Sequence, residues 1–166
     1  MGKISESNLL NTSTGILKAK DACVVIVKTE WNQEITDLLE AGCRAELKKH
    51  KVKKIRTITV PGAVEIPFVI QSYWKNLSRK DKPSAFIALG CVIRGGTPHF
   101  EYVCKSVTEG VLQLNLLLPI PTIFGVLTVD SMQQAQDRVG GKIGHKGIEA
   151  AVTALKMIAL NQSFKK

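Results

Sequence analysis

Residues 84–103 read SAFIALGCVIRGGTPHFEYV, and the parsing of that stretch decides the fold. Ser84 to Ile93 is an almost unbroken apolar run without alternation, the pattern of a strand buried on both faces. Gly95 and Gly96 interrupt it. Beyond them Val103, Val107, Val111 and Leu114 recur at the three-four spacing of a helix with one buried side. A strand buried on both faces that turns through glycines into a helix is half of a parallel strand-helix-strand unit. The surrounding chain is therefore expected to form a parallel sheet covered by helices.

Upstream, Ala22 to Val27 is apolar on both faces and leads into a helix whose Ile35, Leu38, Leu39, Cys43 and Leu47 share one side. Lys54 to Val60 sets Ile55, Thr57 and Thr59 against Arg56, Ile58 and Val60, and precedes a helix stripe of Ile66, Val69, Ile70, Tyr73, Trp74 and Leu77. Downstream, Thr122 to Val129 reads as a fourth strand. A short polar helix at Ser131 to Val139, a Gly140-Gly141 break and a last helix with Ala151, Ala154, Leu155 and Ile158 facing inward follow it. Right-handed crossovers between parallel strands divide the helices between both sheet faces, which gives a three-layer α/β/α sandwich on a four-stranded parallel sheet. Ligands then collect at the carboxyl ends of the strands. Residues 1–14 are polar and aperiodic, predicting a flexible N-terminal tail ahead of a single α/β domain at 15–166.

Composition bounds the function. A chain of 166 residues, 45% hydrophobic and 22% charged, is long enough for one packed core and too apolar to be disordered. Its longest apolar runs, Ala22 to Val27 and Leu114 to Ile120, fall short of the ~18 residues of a membrane span, so no membrane partner is expected. The N-terminal sequence has Glu6 where a myristoylation signal carries Ser or Thr at the sixth residue, and no basic stretch followed by an apolar segment marks secretion. Cys23, Cys43, Cys91 and Cys104 contain no C-x-x-C pair. A reducing, cytoplasmic location follows. Lys and Arg number 23 against 14 Asp and Glu, and 23 minus 14 leaves +9. Much of this excess lies at Lys48, Lys49, Lys51, Lys53, Lys54 and Arg56. No aromatic residue interleaves with them as a base-stacking platform requires, so they read as a solvated helix end and nucleic acid is not an expected partner.

The chemistry is sought in the segments that follow the strands. Gly95, Gly96 and Thr97 precede Pro98, a residue favoured at the first helical position, which makes Thr97 the expected N-cap. Free amides, the positive helix end and two glycines that admit a ligand close to backbone suit a phosphate, although Gly-Gly-Thr-Pro also serves as an ordinary turn. His99, in the first helical turn, is disfavoured as imidazolium by the dipole and suits a general base. His50 and His145 read as surface or capping histidines. Within PGAVEIP at 61–67, Glu65 reads equally as a first-turn acid and as an acceptor for a polyol or an amide-bearing ring. Trp31 and Asn32 offer a stacking face and an edge contact to a heterocycle, and a Trp packed on its own helix is as ordinary. Phe124 and Arg138 lie along or beyond the fourth strand.

Five segments together, Trp31-Asn32, PGAVEIP at 61–67, ALGCVIRGGTPHFEYV at 88–103, PTIFGVLTVDSMQQAQDR at 121–138 and GHKGIEAA at 144–151, closely resemble the 6,7-dimethyl-8-ribityllumazine synthase family. The likeness runs from about residue 15 to the end and implies a flavodoxin-like fold. It also implies condensation of 5-amino-6-(D-ribitylamino)uracil with 3,4-dihydroxy-2-butanone 4-phosphate, releasing phosphate and water, without metal or organic cofactor. On the family pattern Trp31 stacks on the pyrimidine, while Ala63, Val64, Glu65, Cys91, Val92 and Ile93, beside Asn32, hold its edge and the ribityl chain. Gly96 and Thr97 match the phosphate loop, Arg138 the phosphate-binding arginine and His99 the proton-transfer histidine. Phe124 matches an aromatic supplied by the adjacent subunit, and Lys146 the lysine after the late glycine break. The resemblance further implies a homopentamer, and the short segment 140–145 is similar to that of members whose pentamers build an icosahedral shell. It admits riboflavin synthase as a partner. The chain departs from the pattern at His145, usually Asn, at Glu101, usually Asp, and at Trp31, where Phe is commoner and some members with Trp hold riboflavin or the product tightly. The rival readings are an archaeal-type riboflavin synthase of the same architecture and a flavin-binding module without turnover.

Overall fold

The computed structural model describes residues 10–11 and 21–164. Apart from residues 10 and 11, the expected tail at 1–14 lies outside them. Element order is β1 (Cys23–Thr29), α1 (Gln33–Lys49), β2 (Lys54–Val60), α2 (Ile66–Asn76), β3 (Ala85–Ile93), α3 (His99–Leu117), β4 (Thr122–Val129), α4 (Met132–Gln136), β5 (Val139–Gly141), β6 (Gly144–His145) and α5 (Lys146–Ser163). Strands β1 to β4 form one parallel sheet in the order β2-β1-β3-β4.

Alternation along the central strands explains the three layers. On β1, Val24 and Ile26 enter a core with Leu39, Cys43 and Leu47 of α1 and Ala151, Ala154, Leu155 and Ile158 of α5. Val25 and Val27 point the other way, joining Ile66 and Ile70 of α2 and Val107, Val111 and Leu114 of α3. Both faces of β1 and β3 are thus dry, which is why their sequences carry no polar alternation. The fold is the α/β/α, flavodoxin-like sandwich expected, with α1 and α5 on one face and α2 and α3 on the other. No helix among the described residues is long and apolar enough to cross a membrane.

The structure corrects four details. Strand β1 runs through Lys28 and Thr29, because the Lys28 ammonium is taken up by Asp37 (2.6 Å) and Glu40 (2.9 Å) of α1 and Thr29 accepts from the Thr36 hydroxyl (3.0 Å). Leu38 is 48% exposed and lies off the core side of α1. The polar helix stops at Gln136, and Val139–Gly141 pairs antiparallel with Gly144–His145 in a hairpin where helix end and loop were expected. Gly140 and Gly144 adopt φ of 111° and 88° there, a conformation that costs residues with a Cβ energy. At α3 the helix begins at His99 with Pro98 before it, and Thr97 makes no capping bond.

Candidate active site

At the carboxyl end of the sheet a cleft of about 510 Å³ is lined by Thr29, Trp31 and Asn32 after β1, Gly62 to Glu65 after β2, Cys91 to Ile93 of β3, and His99 and Val103 of α3. These groups converge because β1, β2 and β3 are neighbours in register and end together. The loops are also tied to one another. The Glu30 amide donates to the Val60 carbonyl (2.8 Å) and the Trp31 amide to that of Pro61 (3.3 Å), which holds Trp31 beside the 61–65 segment. The indole is 73% exposed, so it is not spent on packing against its own helix. Asn32 takes a left-handed conformation at the start of α1 (φ 56°) and its amide donates to the Cys91 carbonyl across the cleft floor (2.8 Å). One donor of Asn32 is therefore structural, and its second N–H and its oxygen are what remain for a ligand.

Residues 63–65 form a single 3-10 turn ahead of α2, with Pro67 just inside that helix. The Glu65 carboxylate folds back over Gly62: a Cβ there would sit 3.0 Å from Glu65 Oε2 and 3.6 Å from Trp31 Cδ1. The carboxylate and the indole thus border the same small volume. Ala63 is buried and Val64 exposed. Burial pushes the Cys91 thiol up to about 11, so it lines the floor as a neutral apolar group rather than a nucleophile.

Gly95 and Gly96 carry no steric requirement of their own chain. Neither has a positive φ, and a Cβ on either would meet nothing within 4 Å. The open ground above them faces the start of the 19-residue α3. Arg94, which the sequence reading passed over, secures this loop. Its backbone amide donates to the Val129 carbonyl (2.9 Å), its side chain bonds Asp130 (2.7 Å) and Glu101, and its guanidinium lies 4.1 Å from the Phe100 ring centroid. The Arg94 charge in turn holds the Glu101 carboxyl below its usual range.

Of the expected site residues, Trp31, Asn32, Ala63, Val64, Glu65, Cys91, Val92, Ile93 and His99 come together in the cleft. Gly96 and Thr97 border α3's start, outside the lining. Phe124, Arg138 and Lys146 stand elsewhere. Phe124 lies near the amino end of β4, paired with Ala88, and packs on the α2/α3 core. Leu127 and Val129 of the same strand are the partners of Cys91 and Ile93. Phe124 is thus three to five residues short of the cleft floor, about 10 to 17 Å of strand. Arg138 donates through Nη1 to the Ile143 carbonyl (2.6 Å) and through Nη2 to Glu149 (2.9 Å), and Lys146 Nζ lies 3.6 Å from the same Glu149 oxygen. His145 stands at the N-cap position of α5 as expected, but its side chain makes no capping bond and is not on the surface: its ring fills the space above Gly42 of α1, and its Nδ1 is buried without a partner. Among the described residues no cluster of three His, Cys, Asp or Glu side chains could hold a metal ion.

The family model described as 6,7-dimethyl-8-ribityllumazine synthase matches residues 21–162. The chain belongs to the lumazine synthase family. It is similar to the 6,7-dimethyl-8-ribityllumazine synthase of Parabacteroides distasonis, 50% identical over 143 residues that cover 84% of this chain and 86% of the relative. It is also similar to that of Bacteroides fragilis, 48% identical over 85% of this chain and 97% of the relative. The protein of that name from Cytophaga hutchinsonii is 45% identical over 93% and 96%. Lumazine synthases are transferases of riboflavin biosynthesis, and this chain is an enzyme of that family.

Proposed function

We propose that residues 15–166 form one catalytic domain that condenses 5-amino-6-(D-ribitylamino)uracil with 3,4-dihydroxy-2-butanone 4-phosphate to 6,7-dimethyl-8-ribityllumazine. The observation that carries this reading is the convergence, in one cleft of about 510 Å³, of an exposed indole, a carboxylate, free strand-end backbone and a histidine at a helix start. The indole stacks on the pyrimidine, Glu65 accepts from its ring or from ribityl hydroxyls, and the 91–93 backbone meets its edge. The open ground over Gly95 and Gly96 at the positive end of α3 takes the phosphate, with Thr97 beside it. His99 stands between the two.

The uracil's 5-amino group attacks the ketone to give an imine with loss of water. A proton leaves the adjacent carbon and phosphate departs, yielding an enol that tautomerises. The 6-amino nitrogen then attacks the new carbonyl, and loss of a second water closes the ring. His99 shuttles protons in these steps. Holding two substrates in register offsets about 7 to 11 kcal/mol, whereas acid-base help contributes a factor of roughly 10² to 10⁴.

Arg138, Lys146 and Phe124 do not line the chain's own cleft, so their roles require a second copy. A homopentamer, and beyond it a shell of pentamers, meets that requirement. Exposed Phe68 of α2 and Leu112, Leu116 and Leu117 of α3 supply apolar surface for such contacts. Mixing both substrates with the protein and following lumazine absorbance tests the reaction. Riboflavin formed from lumazine alone would instead identify a riboflavin synthase, and binding without turnover a flavin-binding module.

A further inference from the structure

Glu149 was not among the residues expected at the site, and its surroundings are unusual. It stands in the first turn of α5 with its side chain only 8% exposed. One oxygen, Oε2, receives Arg138 Nη2 at 2.9 Å and faces Lys146 Nζ at 3.6 Å, while the other, Oε1, is buried without a partner. Two cations minus one carboxylate leave this cluster with one excess positive charge. An ion pair that served only to pin the hairpin to α5 would need one cation and would satisfy both oxygens. Here two cations that repel each other are drawn to a single oxygen. Arg138 has five N–H donors, two of which are used by Glu149 and the Ile143 carbonyl, so three remain. The arrangement fixes the guanidinium through both terminal nitrogens, and its remaining N–H groups and the ammonium are what can meet an anion, on side chains 17% and 29% exposed.

We propose that Glu149 is a positioning residue that gathers Arg138 and Lys146 into one anion-gripping unit for the phosphate of the butanone substrate. This rests on the phosphate role given to Arg138 above. The carboxylate touches no substrate. It sets the angle of the guanidinium and keeps the two cations close enough to act on one phosphate.

The test is Glu149→Gln in the full chain, which keeps an acceptor for Arg138 and removes the charge. We expect the KM for the butanone phosphate and the inhibition constant of inorganic phosphate both to rise about tenfold or more, with the uracil KM and kcat within about threefold of the parent. Glu149→Asp, which restores the charge, should recover part of the loss and carries the test if the Gln variant does not fold. A uniform loss for both substrates with a lowered melting temperature would show that Glu149 is only structural and overturn the proposal. Arg138→Ala is measured alongside. If it spares phosphate affinity, the phosphate reading of Arg138 fails first; if it weakens phosphate while neither Glu149 variant does, the proposal alone fails.

Discussion

His99 and His145 show how one residue type comes to two different settings from its address. His99 is exposed at the first residue of α3 and faces the cleft, so its truncation disturbs little packing. His99→Ala should lower kcat by about 10² while the KM of each substrate changes less than about threefold, and steady-state kinetics with each substrate varied in turn checks this. Unaltered kcat would remove His99 from proton transfer. His145 is half-buried above Gly42, and burial holds its imidazole below the ordinary value of 6.5, with the Arg138 charge adding to the effect and Glu149 opposing it. From α1 it faces Gly42, which carries no charge. Because its folded value is lowered, the unfolded chain binds the extra proton more readily. The stability contributed by neutral His145 is therefore present above pH 6.5 and lost as pH falls below it through the lowered value. Urea midpoints measured from pH 7.5 down to about pH 5 should fall less in His145→Asn than in the parent. Parallel curves would show that His145 does not titrate in this way.

At the scale of elements, α1 and α5 approach each other more closely than helices bearing side chains allow. A Cβ on Gly147 of α5 would overlap the Leu39 carbonyl of α1, and one on Gly42 of α1 would overlap the His145 ring. Backbone cannot step aside, whereas an imidazole can turn. Gly147→Ala should therefore destabilise by about 3 kcal/mol and Gly42→Ala by about 1 to 2 kcal/mol, and His145→Ala should rescue the second and not the first, as read by chemical denaturation. This packing was not legible in the sequence, where Gly147 looks like any glycine in an early helical turn. The four-stranded sheet was legible, because β1 and β3 are buried on both faces and their residues have no reason to alternate. The hairpin was not: its two strands hold three and two residues, and three glycines among them leave no period to read. Lys28 hid the end of β1 because its partners Asp37 and Glu40 lie on a different element. The cleft residues were legible since each closes or follows a strand, and strand ends in a parallel sheet converge. Glu149 could have been found only by its spacing, one turn after Lys146.

For the whole molecule the decisive feature is that the expected site residues do not all meet within one chain. Trp31 and His99 stand in the chain's own cleft, while Phe124 is set back along β4 and Arg138 is anchored to α5. On the proposal made above, a ring in which each copy lends one face to the next copy's cleft would reunite them, and such head-to-tail contacts are heterologous. The basic cluster from Lys48 to Arg56 is exposed and begins at the end of α1 far from the cleft. The most direct measurement is the activity of Trp31→Ala and Phe124→Ala chains unfolded, mixed in equal amounts and refolded together. With pockets acting independently, half of the chains supply an intact Trp31 and half of their neighbours an intact Phe124, so roughly a quarter of parental lumazine formation should return. Activity no higher than the average of the two pure variants would place both aromatics in the same pocket of one chain and contradict the shared site.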